Sequence, residues 1–515
     1  MKPESTNINK QSLSLIVLWA AVIILSVLLF HRFMTAKYYQ YPPDVFYYMA
    51  IADNLHEHGV FQDASALGGG PVITPQNGIV GILWFFRSLG LSHNTVLITV
   101  ACINYAMMLL SLYPILKICG HIGLKNPFVR TALAAVPLLH SIYLQTAAYA
   151  LNDGIFRALL PWLIYSYFLC YEQYCRDRHI PGWNAKVVGI FLFAAVICHF
   201  RIDSIVITVM FSISALLTGK YKLFLLMSAF AAAMIISITG FYSIFHASDF
   251  SQYSSMRISA FFSDPAERLK GFFLFLFPVD MYGKSTGPFA PAVSFLCIGF
   301  YISFVAGMIK GYLKKDWKLL SVSLSVTAIS AMIIVQGAMN DRYLLVILPF
   351  IYLLIFIRGK LRYIGFFFAI LVVFNASRLL YQNRITVEPR VTFWNYVSEH
   401  TTLKNDNTFF ISYLTRPAWY FTGIPVFTQY DFSLPKSRTY NFTFEQLSDA
   451  DNIYLAGPVE FLEEQKNKIL QLAGQNLYAV RFDLLTSDYS DSEGNGLYQI
   501  VLSPDTVSEF QGNSE

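Results

Sequence analysis

Acids and guanidinium-bearing residues recur at a few places in this 515-residue chain: Asp44, Asp153 with Arg157, Arg201 with Asp203, and Asp341 with Arg342. Arg257 and Lys284, in a longer polar stretch, add further cations. A carboxylate in a partly desolvated cleft can act as a general base. Guanidinium groups present the fork that receives a phosphate. Together they could move a group off a phosphate: the base deprotonates an acceptor and the cations stabilise the departing phosphate, which needs no general acid. Each residue also has a purely structural explanation. Asp44 and Asp153 would cap the helices they open. Arg201 and Asp203 would pair with each other, or Arg201 would snorkel to headgroups. Asp341 and Arg342 admit the same alternatives. Arg157 lies one turn inside an apolar run, where a charge needs a partner, and Asp153 four residues earlier is the nearest.

The elements that must position these residues are apolar. The chain is 55% hydrophobic and 13% charged, with mean hydropathy +0.48. Soluble domains carry about 25% charged residues, so this composition is that of an integral membrane protein. The net charge is +5 with no basic stripe, which excludes a nucleic-acid partner. Polar residues 1–10 precede an apolar run without a small-residue cleavage site, read as a retained first span. Eleven spans are predicted: Leu13–Phe30, Val96–Ile118, Val129–Tyr149, Ile155–Cys170, Val187–His199, Ile205–Leu217, Leu223–Phe245, Val293–Ile309, Leu319–Val335, Tyr343–Ile357 and Tyr363–Leu380. Ile79–Leu89 is a half-buried helix or a further span. Basic residues fall in alternate loops (Lys2 and Lys10; Lys117, Lys125 and Arg130; Arg176, Arg178 and Lys186; Lys220 and Lys222; 310–318; 358–362). The positive-inside rule makes those loops cytoplasmic, with the N-terminus inside and the C-terminus outside. The chemistry-bearing residues then all lie on the outer side, in a first loop over 32–94, in the short connections at 152–153, 201–203 and 339–343, and in a later loop over 246–291.

Within the first loop, Val45, Tyr48, Met49, Ala52 and Leu55 recur at helical spacing after Pro42 and Pro43, which predicts an amphipathic helix against the bilayer with Asp44 at its start. From about Gln382 the composition becomes that of a soluble domain. Strands are predicted at Phe409–Tyr413, Asn452–Leu455, Leu477–Phe482 and Leu497–Leu502, with a charged amphipathic helix over Pro458–Ala473. The predicted organisation is therefore a membrane domain over 1–381, a small extracytoplasmic α/β domain over 382–503, and a tail over 504–515 expected to be disordered. The six cysteines fall in predicted spans or cytoplasmic loops, without metal spacing or a disulfide framework. No internal repeat of the transporter kind is apparent.

Asp44-x-x-Tyr-Tyr-x-Ala-x-x-Asp-Asn-Leu, then Gly59-Val-Phe and Thr74-Pro75, resembles the first-loop pattern of bacterial GT-C glycosyltransferases. These include the lipid A aminoarabinose transferases and are related to the protein O-mannosyltransferases. Phe200-Arg-Ile-Asp203 is similar to the Arg-x-Asp element of that family, and Arg342-Tyr343 with Pro349 to its late Arg-Tyr…Pro element. Gln76-Asn77 departs from the apolar residues that commonly follow Thr-Pro, and Asn152-Asp153 stands where many members have Glu. The resemblance implies a polytopic GT-C fold in a bacterial inner membrane, a polyprenyl-phosphate-linked sugar donor, a lipid or glycan acceptor, inversion at the anomeric carbon and Asp44 as base. Asp153 is the candidate second acid. Tyr47, Thr74, Gln76, Arg201, Asp203, Arg257, Lys284, Arg342 and Tyr343 are the candidate substrate contacts. No cofactor is assigned, and a divalent metal (Mg2+ or Mn2+) is left open. The rival readings are a flippase of lipid-linked sugars, which would carry charges midway through its spans, and a glycan polymerase or ligase of another fold, which would concentrate its chemistry around Arg257–Lys284.

Overall fold

The computed structural model describes residues 10–36, 43–65, 77–177, 185–245, 302, 305–336, 345–357, 389–401, 407–412, 415–427, 429–430, 438–439, 442–487 and 494–504. Most of the predicted span Val293–Ile309 and all of Tyr363–Leu380 lie outside these, as do the later loop over 246–291 and the tail over 505–515. The chain divides into two units: residues 1–37, 74–82 and 92–384, and residues 38–73, 83–91 and 385–515. The loop over 32–94, expected within the membrane domain, is thus grouped largely with the C-terminal residues.

The first unit is helical: α1 (Lys10–Ala36), α4 (His93–His121), α5 (Pro127–Leu139), α6 (Ser141–Ala147), α7 (Asn152–Asp177), α8 (Ala185–Ile197), α9 (Asp203–Leu217), α10 (Tyr221–Phe245), α11 (Trp317–Gln336) and α12 (Leu348–Phe356). It also receives the start of α3 (Asn77–Ser88). Among the described residues four helices are long and apolar enough to cross a membrane, at Leu13–His31, His93–His121, Asn152–Arg176 and Tyr221–Phe241. Four shorter apolar helices accompany them. The 13-residue α8 rises only about 20 Å, short of a hydrocarbon core of about 30 Å. Of the spanning stretch of α1 only 22% is buried, against 67% for α7. Ile16, Val17, Ile24 and Leu28 of α1 are exposed, an apolar face suited to lipid, while α7 forms the core of the unit.

The predicted span Val129–Tyr149 is two helices. Pro137 withholds an N–H from the last turn of α5, and His140 turns extended (φ −93°, ψ 110°). Its Nδ1 accepts the N–H of Tyr143 at 3.3 Å, capping α6. Because α5 and α6 carry the chain back, α4 and α7 lie side by side in the same direction. Asn104 meets Gly154 near one end and His121 meets Glu172 near the other. Lys318 of α11 joins Glu172 at 2.8 Å. A Cβ on Gly154 would fall 2.5 Å from Asn104 Nδ2, and that amide is held by the carbonyl of Tyr149 at 2.8 Å. Gly154→Ala is therefore expected to destabilise the protein by about 1–3 kcal/mol, read as a lowered unfolding temperature in detergent.

The second unit contains α2 (Pro43–His58) and an α/β domain with α13 (Pro389–His400), β1 (Thr408–Ser412), α14 (Thr415–Thr422), β2 (Gln429–Tyr430), β3 (Arg438–Thr439), α15 (Phe444–Ser448), β4 (Asn452–Pro458), α16 (Val459–Gln475), β5 (Tyr478–Leu484) and β6 (Asn495–Pro504). The four-stranded sheet runs β1-β4-β6-β5, with β1 parallel to β4 and the other pairs antiparallel. Alternation sorts its side chains. Phe410, Tyr454 and Ala456 pack with Phe393, Trp394 and Val397 of α13. Ile411, Ile453 and Leu455 pack on the other face with Leu462 and Ile469 of α16. The sheet is covered by helices on both faces, and its long strands fall where the alternation predicts.

Helix α2 begins at Pro43, whose fixed φ suits a first helical turn. It ends at Gly59, whose φ of +71° places it in the left-handed region that closes helices. The sequence predicts one buried face against a bilayer. Instead Val45 through Asp53 are all buried, because protein covers the helix around its whole circumference, and only its last turn is exposed.

Candidate active site

In the first unit the start of α7 and the turn before α9 bring three predicted residues together. Arg201 Nη1 donates to Asp153 Oδ1, and Arg201 Nε donates to Asp203 Oδ2 at 2.5 Å. Asp153 is 5% exposed and Asp203 2%. One guanidinium thus bridges two buried carboxylates, its planar fork presenting a separate N–H to each. Asp153 is not the carboxylate partner expected for Arg157. The Nε of Arg157 donates instead to the backbone carbonyl of Asp153 at 2.8 Å, and its guanidinium carbon sits 4.1 Å from the centre of the Tyr143 ring. Arg157 is 1% exposed, and its Nη1 and Nη2 have no hydrogen-bond partner among the described residues. Buried donors of this kind are normally met by water or a ligand oxygen.

Neighbouring polar groups lock the turn. Asn152 Oδ1 accepts the N–H of Ile79 at 3.1 Å, so it caps α3 rather than its own helix. Gly78 N–H donates to the carbonyl of His199 at 2.9 Å, whose Nε2 pairs with Ser237 Oγ at 2.8 Å. A Cβ on Gly78 would meet the Phe200 ring at 2.8 Å, so the close approach of α3 to the Phe200-Arg-Ile-Asp203 turn requires glycine. Asn104, Tyr143 and His199 escaped the sequence reading. The available signal was a lone Asn in the apolar run of α4, since polar groups inside spans mark interior contacts.

In the second unit Asp44 is half-buried in the first turn of α2, where a carboxylate is favoured by the helix dipole. Tyr47, one turn on, is buried, with its ring 5.6 Å from that of Tyr48. Asp53, a member of the first-loop pattern, accepts from Arg87 Nε at 2.5 Å. Arg87 Nη1 also bonds the carbonyl of Leu91 at 2.7 Å, so this pair fastens the end of α3 to α2. Thr74, Gln76, Arg257, Lys284, Arg342 and Tyr343 lie outside the described residues. Among the described residues no group of three or more His, Cys, Asp or Glu could hold a metal ion, and Asp153 and Asp203 both face the Arg201 guanidinium. The five described cysteines are free.

No protein-family model matches the chain, and no curated protein does. Solved structures do. ArnT from Cupriavidus metallidurans bound to undecaprenyl phosphate superposes with a TM-score of 0.56 at 9% identity, covering 93% of this chain and 97% of that one. Its apo form gives 0.55 at 10% identity over the same shares. The chain has the fold of ArnT. The archaeal oligosaccharyltransferase AglB from Archaeoglobus fulgidus, in complex with an inhibitory peptide and a dolichol-phosphate, has a TM-score of 0.48 at 10% identity, covering 93% of this chain and 74% of that one. The likeness to ArnT and the apolar helices agree on a membrane location.

Proposed function

We propose that the protein is an inverting glycosyltransferase moving a sugar from a polyprenyl-phosphate-linked donor to a lipid or glycan acceptor at the outer face of a bacterial inner membrane. The observation that carries this reading is the likeness over nearly the whole of both chains to ArnT bound to undecaprenyl phosphate. In the proposed reaction an acceptor hydroxyl attacks the anomeric carbon while Asp44 takes its proton. The bond from that carbon to the phosphate oxygen breaks on the opposite face, and polyprenyl phosphate leaves with the electron pair. Arg201 stabilises the charge that develops on the leaving phosphate. Asp153 and Asp203 hold the Arg201 guanidinium at a fixed angle, so Asp153 acts by positioning and not as a second base. The remaining contacts proposed for the substrate are Tyr47, Thr74, Gln76, Arg257, Lys284, Arg342 and Tyr343.

The test is sugar transfer from radiolabelled polyprenyl-phosphate sugars in proteoliposomes. Release of polyprenyl phosphate together with labelled acceptor is the expected result. Movement of intact labelled lipid across the bilayer, with the sugar–phosphate bond unbroken, would sink the reading in favour of a flippase.

A further inference from the structure

The first-loop helix and the C-terminal domain are joined at both ends of the segment that follows Asp44. Phe46, two residues beyond Asp44 on the same helical turn, is 4% exposed. Its ring centre lies 4.6 Å from that of Tyr420 and 6.0 Å from that of Phe421, both on α14. Tyr420 and Phe421 themselves meet edge to face at 5.2 Å. The platform is anchored in the domain: Ser398 Oγ of α13 donates to the Phe421 carbonyl at 2.7 Å. Thr422 Oγ1 accepts the N–H of Ile424 at 3.1 Å, shaping the exit from α14. The chain then runs beside β1, with Phe410 N–H to the Pro425 carbonyl at 2.9 Å and Phe427 N–H to the Phe410 carbonyl at 2.8 Å. From this strip the N–H of Val426 reaches back to the Ser65 carbonyl at 3.2 Å. The segment after Asp44 is therefore clasped at Phe46 by an aromatic pair and at Ser65 by the strip beside the sheet.

We infer that the C-terminal α/β domain is the positioning element for Asp44, with Phe46, Tyr420 and Phe421 as its positioning residues. The inference rests on the reading of Asp44 as base. A catalytic carboxylate displaced by about 1 Å loses about a hundredfold in rate, and Asp44 sits at a helix end, where fraying begins unless neighbours hold the backbone. Aromatic rings against Phe46 hold it with few rotamers to spare. A domain that served only to bind acceptor would change acceptor KM. A domain that holds the base changes kcat for every acceptor, water included.

Full-length Phe421→Ala and Phe46→Ala in proteoliposomes test this. Each is expected to lower kcat about 10- to 100-fold with acceptor KM unchanged, and the double variant to be no worse than either single one. Amide exchange should quicken over residues 45–58 while β4 and β6 stay protected. Phe421→Tyr should restore most of the rate, and Leu470→Ala, exposed on α16, should match wild type. Unchanged kcat with unchanged exchange, or a change confined to acceptor KM, overturns the inference. Should Phe421→Ala loosen β4 and β6 as well, Phe421→Leu decides by the same comparison. Asp44→Asn is assayed alongside. If it stays fully active while Phe421→Ala quickens exchange over 45–58, the base reading fails and the clasp stands. If Asp44→Asn is inactive while the Phe421 and Phe46 variants match wild type in both readouts, the clasp fails and the base reading stands.

Discussion

Asp44→Asn, equally expressed and reconstituted, is expected to transfer sugar about 10²- to 10⁴-fold more slowly than wild type, the range general-base catalysis supplies. The amide keeps the shape and the helix-end position of the side chain but cannot take a proton from an acceptor hydroxyl. If Asp44 acts only as base, donor KM stays near wild type while kcat falls, because the lost interaction belongs to the transition state. Asp44→Glu restores the carboxylate but extends it by one methylene, and the misplacement is expected to cost about a hundredfold. Wild-type rates in Asp44→Asn would remove the base assignment.

Arg201→Met is expected to lower stability by about 3–5 kcal/mol, because it leaves Asp153 and Asp203 buried beside each other without their shared cation. The measurement is thermal unfolding in detergent. The same variant should lose sugar transfer, but a misfolded site would lose it too. The combination Asp153→Asn, Arg201→Met and Asp203→Asn separates the two effects. Removing every charge of the cluster removes the uncompensated burial, so most of the stability is expected to return. Transfer should stay low, since the Arg201 guanidinium is no longer there to meet a leaving phosphate. Recovery of both stability and transfer would reduce the cluster to an architectural ion pair.

What the sequence determined by itself was everything set by local pattern. Apolar runs marked α1, α4, α7 and α10, because a helix in lipid must be apolar over its spanning length. Alternation marked β4, β5 and β6 and the amphipathic spacing marked α16, because sheet and helix expose different periodicities to one core. The two prolines marked the start of α2. The Asp44 pattern and the Arg201–Asp203 pair were legible as candidates, since acids and guanidinium groups next to apolar spans are costly without a purpose.

Only the tertiary structure decided which of these groups meet. Arg201 bridges Asp153 and Asp203 because α7 and α9 converge. Arg157, assigned to the Asp153 carboxylate from its spacing of four, binds that residue's backbone carbonyl and stacks on Tyr143 instead. The break at His140 was hidden inside a continuous apolar run, because hydropathy measures composition and is blind to one residue turning extended. The helix of Asp44 read as a membrane-surface element because its periodicity shows which side is apolar, not what covers the other side. Phe46 and Tyr420 stand at opposite ends of the chain, and contact between them depends on folding that no local window contains.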